Sequence, residues 1–262
     1  MDKRALVTSV TVLLVVAIGA AVVILHSTIA TRPAKQESFD DVQAAAERGD
    51  AAAQYKLGVA LQTGTRKSDI EGATWIRKAA EQGLADAQYT LGGMLVSGRV
   101  IPKNEVEAVS WYRKAAEQGL ARAQFELGLM LFSGNGVAQN AAESAMWDQK
   151  AAEQGLPEAQ SALGMDFATG LGVEQNEVTA VQWLRKAAEQ GNANGQYDLA
   201  LVLTKGKTVP HDAPEAYFWL VLATRTKKDA QALETEVRAQ ITTEQAYAAE
   251  ARVAAWVPRK PN

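Results

Sequence analysis

The hexapeptide KAAEQG occupies Lys78–Gly83 and returns at Lys114–Gly119, Lys150–Gly155 and Lys186–Gly191, each copy 36 residues after the last. Self-similarity at a fixed interval of this length marks one supersecondary unit copied in a row, each copy burying an apolar face that it cannot cover alone. The period reaches beyond the hexapeptide. Trp75, Trp111, Trp147, Trp183 and Trp219 form a single 36-residue column, and so do Ser68, Asn104, Asn140, Asn176 and Asp212.

The second column consists of good helix N-cap residues. Three positions later stand Glu71, Glu107, Glu143, Thr179 and Glu215, so four of the five read as capping boxes, with the Glu returning to the free cap amide. Gly83, Gly119, Gly155 and Gly191 then suit a left-handed stop. Start and stop together bracket a helix of about 14 residues, helix B. Between each stop and the next cap runs helix A. Ala87, Ala123 and Ala159 are followed four residues later by Leu91-Gly92, Leu127-Gly128 and Leu163-Gly164, and then by Leu95, Leu131 and Phe167. That is an i, i+4 apolar stripe. Pro157 and Pro214 fall in first turns, where a missing N–H costs nothing.

Five A–B pairs fit between about Gly49 and Arg225. A truncated B-like helix (Asp40–Arg48) precedes them. Only the first pair departs from the spacing: Gly49 to Gly83 is 34 residues, with the deficit in the loop between Gly64 and Ser68. Segments Asp229–Gln240 and Thr243–Trp256 read as further helices, the second capped by Thr242 and Gln245, and a unit that breaks the pattern is what closes an open-ended stack. Within KAAEQG the two alanines allow close helix approach, Lys and Gln are expected to face water, and Gly turns the chain. The tryptophans read as inter-helix packing. The Gln column (Gln54, Gln88, Gln124, Gln160, Gln196) reads as side chains satisfying neighbouring carbonyls.

Composition narrows the functional classes. There is no cysteine and there are two histidines, His26 and His211, in 262 residues of net charge −3. No thiol chemistry, zinc–thiolate site, triad or broad basic surface for nucleic acid follows from that inventory. Gly134-Asn135-Gly136 and Gly170-Leu171-Gly172 lack the preceding strand and the following Lys-Ser/Thr of a phosphate loop. They read as turns. No catalytic constellation, cofactor, metal or small-molecule substrate is expected, and the carboxylates sit at caps and on helix surfaces.

Residues 5–25 (ALVTSVTVLLVVAIGAAVVIL) are uncharged and mostly apolar, following Lys3 and Arg4. As a helix they are long enough to span a bilayer, with residues 1–4 cytoplasmic by the positive-inside bias. A signal peptide cleaved after Thr28-Ile29-Ala30 is the competing reading. The run exceeds the usual signal core, which favours an uncleaved anchor. Residues 26–38 read as a polar tether, 39–228 as the repeats and 229–262 as C-terminal capping helices.

The pattern AxAQxxLGxxLxxGxGV…A…WxxKAAEQG, carried by Ala121–Gln124, Leu127-Gly128, Gly134–Val137, Ala145, Trp147 and Lys150–Gly155, closely resembles the Sel-one-like repeat, a relative of the tetratricopeptide repeat. The resemblance runs from about Phe39 to Trp256. It implies an all-α, right-handed α/α superhelix of about five hairpins, here preceded by a transmembrane helix. It also implies a protein-binding role with no reaction, because the shared residues are scaffold residues.

In such stacks helix A lines the concave side. Two, six and nine positions beyond the repeat alanine come Tyr55, Val59 and Gln62, then Phe125, Leu129 and Phe132, then Tyr197, Leu201 and Thr204; Tyr89 and Met165 occupy equivalent places. Tyr55, Tyr89, Phe125, Leu129, Phe132, Met165, Tyr197 and Leu201 are therefore the candidate surface for an extended or helical segment of another protein. The alternative is that these residues pack between adjacent A helices. The functional expectation is a scaffold or adaptor held in a bacterial inner membrane with its repeats in the periplasm. The alternative is an immunity or inhibitor protein that blocks a toxic secreted enzyme.

Overall fold

The computed structural model describes residues 38–62 and 64–259. The expected membrane segment 5–25 and residues 26–37 of the tether lie outside them. The described residues hold thirteen α-helices and no strand, and none of these helices is long and apolar enough to cross a membrane. In order they are α1 (Phe39–Glu47), α2 (Ala51–Ala60), α3 (Arg66–Glu81), α4 (Ala85–Ser97), α5 (Glu105–Glu117), α6 (Ala121–Ser133) and α7 (Ala141–Glu153). Then come α8 (Pro157–Thr169), α9 (Glu177–Glu189), α10 (Ala193–Lys205), α11 (Ala213–Ala223), α12 (Ala230–Arg238) and α13 (Thr243–Ala255). The even-numbered members from α2 to α10 are the A helices, and α3 to α11 the B helices.

From α1 to α12 consecutive helices pack on one another, and α11 carries both α12 and α13. The buried residues accordingly form a row of clusters, from Ala46, Ala53 and Leu57 at one end to the large one around Trp219, Leu220 and Val237 at the other. This is mutual shielding of neighbours in a line.

The stop at each of the B helices α3, α5, α7 and α9 is a Schellman turn. After α3, Leu84 N donates to Ala79 O (3.2 Å) and Gly83 N to Ala80 O (3.0 Å), with Gly83 at φ +96°. The same two bonds recur at Gly119 and Gly155. The alanines supply carbonyls as well as clearance. Gln54, Gln88, Gln124, Gln160 and Gln196 donate from Nε2 to Ala46, Ala80, Ala116, Ala152 and Ala188 O at 3.1–3.3 Å. Their partners are thus carbonyls at the end of the preceding B helix. Four of these glutamines also accept from the Gln of KAAEQG (Gln82, Gln118, Gln154, Gln190) at 2.7–2.8 Å.

That pairing corrects the expectation for the hexapeptide. Its Gln does not simply face water, and its Lys lies over the column tryptophan. The Nζ atoms of Lys78, Lys114, Lys150 and Lys186 sit 3.8–4.0 Å from the ring centroids of Trp75, Trp111, Trp147 and Trp183. Each such contact contributes about 0.5–1 kcal/mol. Trp111, Trp147 and Trp219 are buried, and Trp75 and Trp183 partly so.

The capping boxes are also corrected. Asn104, Asn140 and Asp212 accept from the amides of Glu107, Glu143 and Glu215, but these glutamates make no bond back to the cap amide. Instead they take the indole N–H of Trp111, Trp147 and Trp219 and the guanidinium of the preceding B helix, in the pairs Arg77–Glu107, Arg113–Glu143 and Arg185–Glu215 at 2.6–3.0 Å. The glutamate column therefore ties one hairpin to the next. Ser68 is not a cap either. The shortened loop lets α3 begin earlier, with Thr65 capping it. Reciprocal boxes do form at Ser38/Asp41 and, as expected, at Thr242/Gln245.

At the C-terminal end, Trp256 packs on the last core cluster and Arg259 bonds Glu189 through both main chain and side chain. The last A–B loop is held by Glu177. Its carboxylate accepts from Lys207 N, Thr208 N and Thr208 Oγ1 at 2.6–2.8 Å, and the Thr208 and Lys207 amides hold its pKa down to about 2. A depressed carboxylate pKa means stabilisation that is present at neutral pH and lost as pH falls from about 4.5 to about 2. The Glu177→Gln variant should be less stable by about 1.5 kcal/mol at pH 7, with the gap closing by pH 2, in urea unfolding followed by circular dichroism.

Candidate protein-binding face

The repeat alanine of helix A is buried against its neighbours. Positions two, six and nine further on therefore turn toward the opposite side. Tyr55, Tyr89 and Phe125 project there from α2, α4 and α6, and they line two adjoining clefts of about 520 and 490 Å³. The floor and far wall come from Ala121 at the start of α6 and from Leu156 and Pro157 at the start of α8. Pro157 can stand in that wall because its first-turn position needs no N–H.

Charge sits on the rim, with Arg122, Glu126 and Glu158 at one cleft and Asp86 at the other. Burial pushes the Glu126 carboxyl up, and burial with Glu126 nearby raises the Tyr89 hydroxyl. Tyr89 is braced from below by Tyr112, with ring centroids 5.9 Å apart. Tyr55 Oη is bonded to Thr90 Oγ1 at 3.1 Å, fixing its ring between α2 and α4.

The eight residues singled out in the sequence fall into three groups. Tyr55, Tyr89 and Phe125 line the clefts while also packing on neighbouring helices. Leu129 and Phe132, further along α6, are 40% and 43% exposed. Met165, Tyr197 and Leu201 pack against the large C-terminal core cluster. Arg122, Leu156 and Pro157 were not singled out beforehand. Their signal, a turn-and-start segment recurring beside each aromatic, is legible only once consecutive hairpins are stacked.

His211, the one histidine among the described residues, has Nε2 2.8 Å from Gly206 O, remote from the clefts. Among the described residues no group of three or more His, Cys, Asp or Glu is placed to hold a metal. What the face offers is aromatic and apolar surface with a charged rim.

A row of A–B hairpins closed by capping helices, with aromatic side chains of the A helices lining clefts, defines a helical repeat protein of the protein-interaction type. The chain belongs to the Sel1 repeat family. The family model matches five consecutive units, 51–84, 85–120, 121–156, 157–192 and 193–225, each opening at an A helix. The chain is similar to a Sel1 repeat protein from Oxalobacter formigenes, at 37% identity over 68% of this chain and 74% of that one, with a TM-score of 0.63. It is also similar to a protective antigen with the same repeat fold from uropathogenic Escherichia coli, at 29% identity over 83% of this chain and 56% of that one, TM-score 0.54. No curated protein matches the chain.

Proposed function

We propose that this chain is a membrane-anchored, non-catalytic scaffold of a bacterial envelope whose A-helix face holds a segment of another protein. The observation that carries the reading is the continuity of the two clefts across four A helices, with the apolar side chains of Leu129 and Phe132 left uncovered beside them. A preformed groove on a stiff stack holds a segment with little ordering of its own, which lowers the entropic cost of association. Membrane attachment rests on residues 5–25 and the two cations before them, which direct the repeats to the periplasmic side.

Crosslinking in intact cells followed by mass spectrometry tests the proposal. Recovery of one envelope protein whose yield depends on the A-helix face supports a scaffold. Recovery of a secreted toxic enzyme, with growth rescued by this chain, assigns the immunity role to the same face. Specific capture that does not depend on the A helices removes the proposal. Protease added to spheroplasts should digest the repeats; full protection contradicts the periplasmic placement.

A further inference from the structure

Three positions that are apolar or glycine in the other hairpins turn polar around one helix, α7. The column Ile76, Tyr112, Asp148, Leu184, Leu220 lies over the middle of its A helix, and Asp148 is its one carboxylic acid. A Cβ placed on Gly128 would fall 2.7 Å from Asp148 Oδ1, as one on Gly164 would fall 2.6 Å from Leu184 Cγ. The carboxyl thus occupies the volume of a core leucine. Asp148 is 4% exposed and its Oδ1 has no hydrogen-bond partner; Oδ2 lies 3.5 Å from Ser144 Oγ. Ser144 itself stands where other hairpins have Gly72, Ala108, Ala180 and Ala216. On α8, Asp166 stands where they have Ala60, Met94, Met130 and Val202.

The same helix, α7, also lacks the tie that joins other B helices to the next. Gln149 and Thr179 replace the arginine and glutamate, and Gln149 bonds Glu153 within its own helix. The glutamine bond from Gln160 to Ala152 O remains. A buried carboxyl without a cation is tolerated only while it is neutral.

We propose that α7, packed on α6 within the third hairpin and on α8 across the next junction, is a proton-dependent seam: with Asp148 and Asp166 neutral it closes like the other B helices, and loss of their protons loosens α7 from α6 and α8 before any other part of the stack opens. Burial, then the neighbouring Asp166, pushes Asp148 up to about 8, and burial pushes Asp166 to about 6.

The surrounding charges do not offset this. Charged residues on α6 are Arg122 and Glu126, and on α8 Glu158 and Asp166; of these Asp166 alone bears on Asp148. On Asp148's own helix, Glu143 is turned to Arg113 and Lys150 to Trp147. The cations of α9 and α10 that could reach Asp166 are engaged elsewhere, Arg185 with Glu215, Lys186 over Trp183 and Lys205 with Glu236. The acids on those helices are engaged too. Glu177 holds the 207–208 amides, Glu189 takes Arg259, and Asp198, itself raised to about 6, accepts from Ser161 Oγ. Because the folded pKa values are raised, the stabilising neutral form is fully present below the ordinary carboxylate range. It is lost as pH climbs through about 6 and then about 8.

Hydrogen exchange of the full-length chain, read by mass spectrometry at pH 6 and pH 9 with times scaled for intrinsic rate, tests the seam. Protection in peptides from α7 and α8 should fall by about tenfold or more relative to α4 and α5. Asp148→Leu, which restores the residue type of the column, and Asp148→Asn, neutral at every pH, should each cut the difference to about threefold or less, with Asp166 alone left to titrate. Equal loss in both regions of the wild-type chain overturns the proposal, whether or not the variants fold. So does an unchanged pH difference in either variant.

Discussion

Gly172→Ala should lower the unfolding free energy by about 3 kcal/mol or more, the largest effect expected from any single methyl group in this chain. Two independent costs meet at that position. The backbone is left-handed, at φ +74°, and an added Cβ would come within 2.2 Å of Ala141 O, where the A–B loop crosses the start of the preceding B helix. A control separates them. Gly119 has φ +91° and nothing within 4 Å of its virtual Cβ, so Gly119→Ala carries the conformational cost alone, about 1–2 kcal/mol. Urea denaturation followed by circular dichroism measures both. Equal losses would show that loop and helix do not meet as described.

The second large effect concerns binding. Leu129→Glu combined with Phe132→Glu alters two exposed side chains of α6, so stability should change by no more than about 0.5 kcal/mol. Recovery of the crosslinked partner should fall by about tenfold or more, because a few apolar anchors carry most of an interface's energy and two buried carboxylates would oppose it. Phe125→Ala is a less clean probe. Its ring lines a cleft and also packs on the Ala151–Leu163 cluster, so binding and stability should fall together. A folded double Glu variant that keeps its partner in full yield separates binding from this part of the face.

Much of the architecture was legible in the letters because the period is a packing constraint. Any position that meets the same neighbour in every hairpin must keep its size and polarity, so alanine, leucine, glutamine and tryptophan columns show directly. The glutamate column was harder to read. A Glu three residues after an Asn satisfies the capping-box pattern, yet the same carboxylate also reaches an arginine 30 residues earlier, as in Arg77–Glu107 and Arg113–Glu143. A charged partner with two donors outcompetes one backbone amide.

Lys78 over Trp75 could have been inferred from the i, i+3 spacing. Ser68 could not, since a two-residue deletion moves the helix start by an amount the spacing does not reveal. The binding face was half legible for a related reason. An aromatic on helix A has the same periodicity whether it packs on a core cluster, as Tyr197 does, or walls a cleft, as Phe125 does. The difference lies in what the following hairpin places opposite, Leu156 and Pro157 in the second case. Asp148 is the reverse: its departure from its column is plain in the sequence, but only its burial and unpaired Oδ1 give that departure a consequence.

The most direct measurement places a photoactivatable crosslinking residue in turn at Phe132 on α6 and at Val106, 69% exposed on the B helix α5. Both are exposed and apolar, so a generally sticky surface would label from either. If the A helices carry recognition, illumination in intact cells gives a discrete partner adduct from position 132 and none from 106. The same discrete adduct from 106, with nothing from 132, would contradict it.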